Sequence, residues 1–163
     1  HRGLQGNAGA IASMPLSMAQ PGGPAPAQLI SEASLWDLEQ RFRAQGLDAT
    51  AAYDARALTA PWLPHTQAWC ARAARALAQC IVSATAFLDM EAVVVDGAWP
   101  ADLMQPLLAQ TREALDAYNW EGLMAPPRIE AGSIGSDARA LGGALLPLHA
   151  AFAPEHEVFL KEA

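Results

Sequence analysis

A chain of 163 residues that is 52% hydrophobic and only 17% charged can bury a core, which excludes the weakly hydrophobic, densely charged composition of disordered proteins. The length suits one compact domain or one lobe of a larger one. A formal net charge of -7 excludes this segment as a nucleic-acid-binding surface, because phosphate contacts need clustered Lys and Arg.

The chain opens on His1 rather than Met, in a glycine-rich stretch with no element before it, and is therefore expected to be a fragment of a longer protein. Residues 1–30 are rich in Gly, Pro, Ala and Met. The run Pro21-Gly-Gly-Pro-Ala-Pro26 can continue neither a helix nor a central strand. Residues 31–34 then read as a helix N-terminus, followed by an apolar stripe of Leu35, Leu38 and Phe42 with Gly46 as its C-terminal cap. A shorter helix is expected over 51–58, stopped by Pro61 and Pro64.

Residues 66–88 give the strongest helical pattern, with Trp69, Ala73, Leu77, Cys80 or Ile81, Ala84 and Leu88 at helical spacing. The next segment, Met90-Glu-Ala-Val-Val-Val95, is β-branched and apolar, as a parallel strand buried on both faces would be, and Asp96-Gly97 ends it in a turn. Another helix is expected over 101–118, with Pro106 near its first turn, then a short strand over 128–131 and a turn over 132–135. The last helix, 137–152, contains a Gly142-Gly143 pair that would let another backbone approach, and Pro147, which should end or kink it. The tail 155–163 is expected to pack on the body or on a partner. The alternation of helices and strands indicates an α/β architecture with helix 66–88 at its centre.

Cys70 and Cys80 lie ten residues apart on that helix, about 15 Å at ~1.5 Å per residue, too far for a mutual disulfide. They read as reduced core residues. No apolar run reaches the ~20 residues that cross a bilayer and no secretory signal opens the chain, so a cytoplasmic location and no membrane partner are expected.

Three segments carry a resemblance. Arg2-Gly3, Gly6-Asn7-Ala8-Gly9-Ala10-Ile11-Ala12-Ser13-Met14 resembles the signature segment R-G-x-x-G-N-A-G-E-I-G-H-M of the ROK family, the repressors and sugar kinases with an actin-like ATPase fold. Leu88-Asp-Met-Glu-Ala-Val-Val-Val-Asp-Gly97 and Gly135-Ser-Asp-Ala-Arg-Ala-Leu-Gly-Gly-Ala144 resemble two later family segments in order and spacing. The resemblance implies that residues 1–163 are the C-terminal lobe of a sugar-binding domain, the second lobe of a ribonuclease-H-like, actin-like ATPase fold. Its sheet would be small and flanked by helices.

The departures carry information. The family's Glu and His, which bind the sugar, are replaced by Ala10 and Ser13. The family's zinc-binding cysteine cluster falls on Pro21, Gly23 and Gln28, with Ile30 where its Glu would stand. A closed zinc site needs four nitrogen or sulfur donors, so residues 1–30 are expected to replace the zinc loop and to hold no metal. The rigid Pro21–Pro26 run would stand in for the ion by restricting the unfolded loop. Gly9, Ala10 and Ser13 are the expected wall of any ligand site, with weakened recognition of sugar hydroxyls.

Family kinases tend to carry a glycine pair where this chain has Asp96-Gly97-Ala98-Trp99-Pro100. Trp99 would either crowd an adenosine pocket or pack the interface between lobes. His65, His149 and His156 lack ligand spacing, and no phosphate loop or nucleophile set is present. The expected function is a sugar-responsive transcriptional regulator. The visible part would be its effector-sensing and dimerising domain, and DNA would be bound by an N-terminal region outside the chain. It would not be an enzyme and would have no catalytic residue or cofactor here. An ATP-dependent kinase of a hexose or amino sugar is the alternative, and a non-catalytic oligomerisation protein the second. A homodimer is expected by resemblance.

Overall fold

The computed structural model describes residues 4, 5, 7, 9–123 and 125–152, without the side chain of Arg139. Arg2, Gly3, Gly6, Ala8 and the tail 155–163 with His156 lie outside the described residues.

A 3-10 turn, Ile11–Ser13, leads into a loop closed by an antiparallel bridge between Pro15 and Gln28. The main chain holds this closure. Leu16 N donates to Ala27 O at 2.9 Å and Leu29 N donates to Met14 O at 3.0 Å.

Helix α1, Leu29–Ala33, and helix α2, Leu35–Ala44, meet at Ser34, whose extended backbone separates them and whose hydroxyl accepts from Asp37 N at 3.2 Å. Leu38 and Phe42 of the expected stripe are fully buried, and Gly46 adopts the positive φ of a C-terminal cap.

The helix expected over 51–58 is instead two 3-10 turns, Ala49–Tyr53 and Ala55–Leu58. The carboxylates of Asp48 and Asp54 accept from Thr50 N and Arg56 N, each at 2.9 Å, so each aspartate starts a fresh turn where a continuous helix would have run.

Helix α3, Leu63–Leu88, is the central element, as expected, and Pro64 occupies its first turn rather than stopping the chain ahead of it. It ends at Asp89 in the left-handed conformation, with Asp89 N donating to Thr85 O. Trp69, Cys70, Ala73 and Ala74 share one core cluster with Leu38 and Phe42 of α2. Helix α4, Ala101–Asp116, lies along α3. Leu103 and Leu107 join that first cluster, while Met104, Leu108 and Leu115 form a second with Ala78, Ile81, Val95 and Ile129. Alongside Trp69, Cys70 and Ile81, α3 contributes the small residues Ala73, Ala74 and Ala78 to these clusters. Full burial of Leu38, Phe42, Leu107 and Leu108 stabilises by about 1.5–3 kcal/mol each. Pro106 sits inside α4, in its second turn, and not near the start.

Strands β1, Ala92–Val95, and β2, Arg128–Ala131, pair in parallel, Ala92 opposite Arg128 and Val95 opposite Ala131, with α4 as the crossover that parallel strands require. The expectation that β1 is buried on both faces does not hold for the described residues. Val95 is buried, but Val94 is 63% exposed. Only one face has helices to pack on, and β2 is the only strand paired with β1 among the described residues.

Helix α5, Ala138–Phe152, continues through Pro147, which neither ends it nor stops its last turn forming. Its described side chains are all exposed, and nothing lies within 4 Å of where a Cβ would stand on Gly142 or Gly143, so among the described residues no other backbone approaches that pair. No helix of the described residues is long and apolar enough to cross a membrane.

Candidate functional site

The segment expected to line a ligand site forms a tight turn. Gly9 has a φ of +85°, and Ala10 N donates to Asn7 O at 3.0 Å. The side chains of Ala10 and Ser13 are exposed. The neighbours between them, Ile11 and Ala12, reach an apolar groove of about 420 Å³, whose lining includes Leu29, Ile81, Val93 and Trp99. The structure therefore brings Ile11 and Ala12, rather than Gly9, Ala10 and Ser13, to this groove. Pro21, Gly23, Gln28 and Ile30 offer no thiolate, imidazole or carboxylate of the kind zinc takes, and no group of three His, Cys, Asp or Glu that could hold a metal occurs among the described residues. His65 is half-buried and His149 is exposed.

The polar part of the molecule that topology singles out is the crevice beyond the C-terminal ends of β1 and β2, where parallel α/β sheets present ligand sites. It encloses about 400 Å³ and is lined by Asp96, Gly97, Trp99, Gln105, Gly132 and Ser133 among others. Asp96 follows β1 directly and Gly132 follows β2, and Gly132 N donates to Val95 O at 2.8 Å.

The Asp96 carboxylate accepts three main-chain amides, Gly97 N at 2.8 Å and Ile134 N and Gly135 N at 3.1 Å. Partial removal from water pushes its pKa up, but these amides together outweigh that and hold it below the usual carboxylate range. Gly132 is glycine because a Cβ there would come within 2.4 Å of Asp96 Cβ. Gly97 is similarly covered by the ring of Trp99.

Trp99 packs against both larger clusters, so it acts as a structural wedge between them, and its indole N–H is buried without an acceptor among the described residues. The motif Asp-Gly after an apolar strand signalled a turn. The pairing of Asp96 with amides 38 and 39 residues later had no signal in the sequence.

No protein-family model and no curated protein matches the chain. Solved structures do. A ROK family protein from Streptococcus pneumoniae TIGR4, determined in complex with sucrose, superposes with a TM-score of 0.64 at 22% identity, covering 93% of this chain and 51% of that one. The ROK hexokinase from Thermus thermophilus superposes with a TM-score of 0.61 at 25% identity, covering 93% of this chain and 52% of that one. The chain spans about half the length of these neighbours, and over that half it has the actin-like fold of ROK family proteins.

Proposed function

We propose that the chain is the effector-sensing and dimerising part of a sugar-responsive transcriptional regulator of the ROK family, with DNA bound by a region outside it. The observation that carries this reading is the pair Ala10 and Ser13, exposed on their turn where the resemblance places a sugar-binding Glu and His. A regulator tolerates a weakened sugar site. A kinase loses the groups that orient its substrate for transfer, and orientation supplies much of such an enzyme's acceleration. The fold shared with the sucrose-bound neighbour supports a carbohydrate-derived effector. The acidic charge of the chain agrees with DNA contacts lying elsewhere.

The test is a gel-shift of the full-length protein on its own promoter region, with and without a panel of hexoses and amino sugars. A shift that sugars modulate supports the reading, and no binding to any promoter tested counts against it. The likeness to a hexokinase favours a second reading, an ATP-dependent sugar kinase. ATP turnover dependent on any hexose or amino sugar would establish that reading instead.

A further inference from the structure

We propose that Asp96 is a built-in anion that shuts the crevice beyond β1 and β2 to phosphate-bearing ligands, leaving it to uncharged molecules; this rests on the non-kinase reading above. Main-chain N–H groups that converge on one point form an anion-binding concavity, and such concavities at the ends of parallel strands hold phosphates in many α/β proteins. Here the convergence exists but is already filled. Gly97 N, Ile134 N and Gly135 N come from two segments far apart in sequence, and all three aim at the two oxygens of one carboxylate.

The fit is close. Gly132 leaves no space for even a methyl group beside Asp96. An incoming phosphate would find its donors taken and a like charge in their place. Among the described residues no Lys or Arg lines the crevice to offset that charge, and Asp96 is the only charged one in its lining. The remaining walls, Trp99, Met104, Gln105, Ser133 and Ser136, suit a neutral molecule with polar edges.

The test is an NMR titration of the 15N-labelled chain with inorganic phosphate at constant ionic strength. In the wild type the amide signals of Gly97, Ile134 and Gly135 are expected to stay in place. In Asp96→Ala they are expected to move saturably. Equal movement in the wild type overturns the proposal, and so does a folded Asp96→Ala that shows none.

If Asp96→Ala does not fold, Asp96→Asn decides, because it keeps the shape and an acceptor oxygen while removing the charge. Amide exchange at Ile134 and Gly135 should then accelerate about tenfold, since charge-assisted hydrogen bonds are roughly twice as strong as neutral ones. Unchanged exchange would show that the carboxylate charge is not what these amides hold. Phosphate binding by the wild type together with a sugar-modulated gel-shift would sink this proposal alone. Sugar-dependent ATP turnover would sink the regulator reading as well.

Discussion

The indole Nε1 of Trp69 donates to the main-chain carbonyl of Ser34 at 3.2 Å, across 35 residues of sequence. The same Ser34 caps α2 with its hydroxyl, so one residue divides α1 from α2 and anchors both to the middle of the core. Trp69→Phe should keep most of the buried area, lose this bond, and cost about 1–2 kcal/mol. Ser34→Ala should cost about 1 kcal/mol through the cap, leaving the carbonyl contact intact. Urea denaturation midpoints check both, and a Trp69→Phe protein as stable as the wild type would show that the bond contributes nothing.

Around the 3-10 turns, Arg56 bridges Asp48 at 2.7 Å and Asp54 at 2.8 Å. The amide of Thr50 first, and then the Arg56 side chain, bring the Asp48 carboxyl down to about 2. The folded value lies below the ~3.9 of an unfolded aspartate, so the associated stabilisation is fully present above that pH and fades as the pH falls towards about 2. In a carbon-detected NMR titration, Arg56→Ala should raise the Asp48 midpoint without restoring the ordinary value, because the Thr50 amide remains. A midpoint that does not move would remove Arg56 from the account.

Cys70 is buried, and loss of water pushes its thiol up to about 11; burial raises Cys80 as well. A rise of that size from 9.0 lowers the Cys70 thiolate fraction roughly hundredfold at neutral pH. Neither cysteine should react with iodoacetamide in the native chain within hours, and both should react at once in denaturant. Mass spectrometry of the adducts reads this directly, and a rapidly labelled Cys70 would contradict its placement in the first core cluster.

The loop spanning the expected zinc segment is closed by main-chain bonds between Met14–Leu16 and Ala27–Leu29. The purified protein should therefore carry no stoichiometric zinc, and EDTA should leave its Tm unchanged. Elemental analysis and thermal melts with and without chelator check this, and a Tm that falls on chelation would restore a metal to the fold.

These elements differ in how well they could be read from sequence, for physical reasons. Helix α3 was legible because Trp69, Ala73 and Ile81 recur at 3.6-residue spacing with no interior breaker. The 49–58 region was not, because the turns are set by the Asp48 and Asp54 side chains rather than by apolar period. For β1, composition gave the strand, but burial depends on neighbours that composition does not reveal, and Val94 is left exposed. At the candidate site, Gly9, Ala10 and Ser13 came from a motif, whereas the Asp96 contacts depend on how far apart in sequence the chain returns on itself. No local pattern encodes that return.

The seam between α3 and α4 sets a ceiling on volume. Ala73, Ala74 and Ala78 have at most 1% of their surface exposed and share clusters with leucines of α4. As sequences drift, these three positions can trade among Ala, Ser and Gly, but any larger side chain must drive α4, itself the crossover between β1 and β2, outward. The ends of β1 and β2, and the crevice between them, would be displaced together. Variation at three side chains that touch no ligand would thus be filtered by selection on a site elsewhere in the molecule.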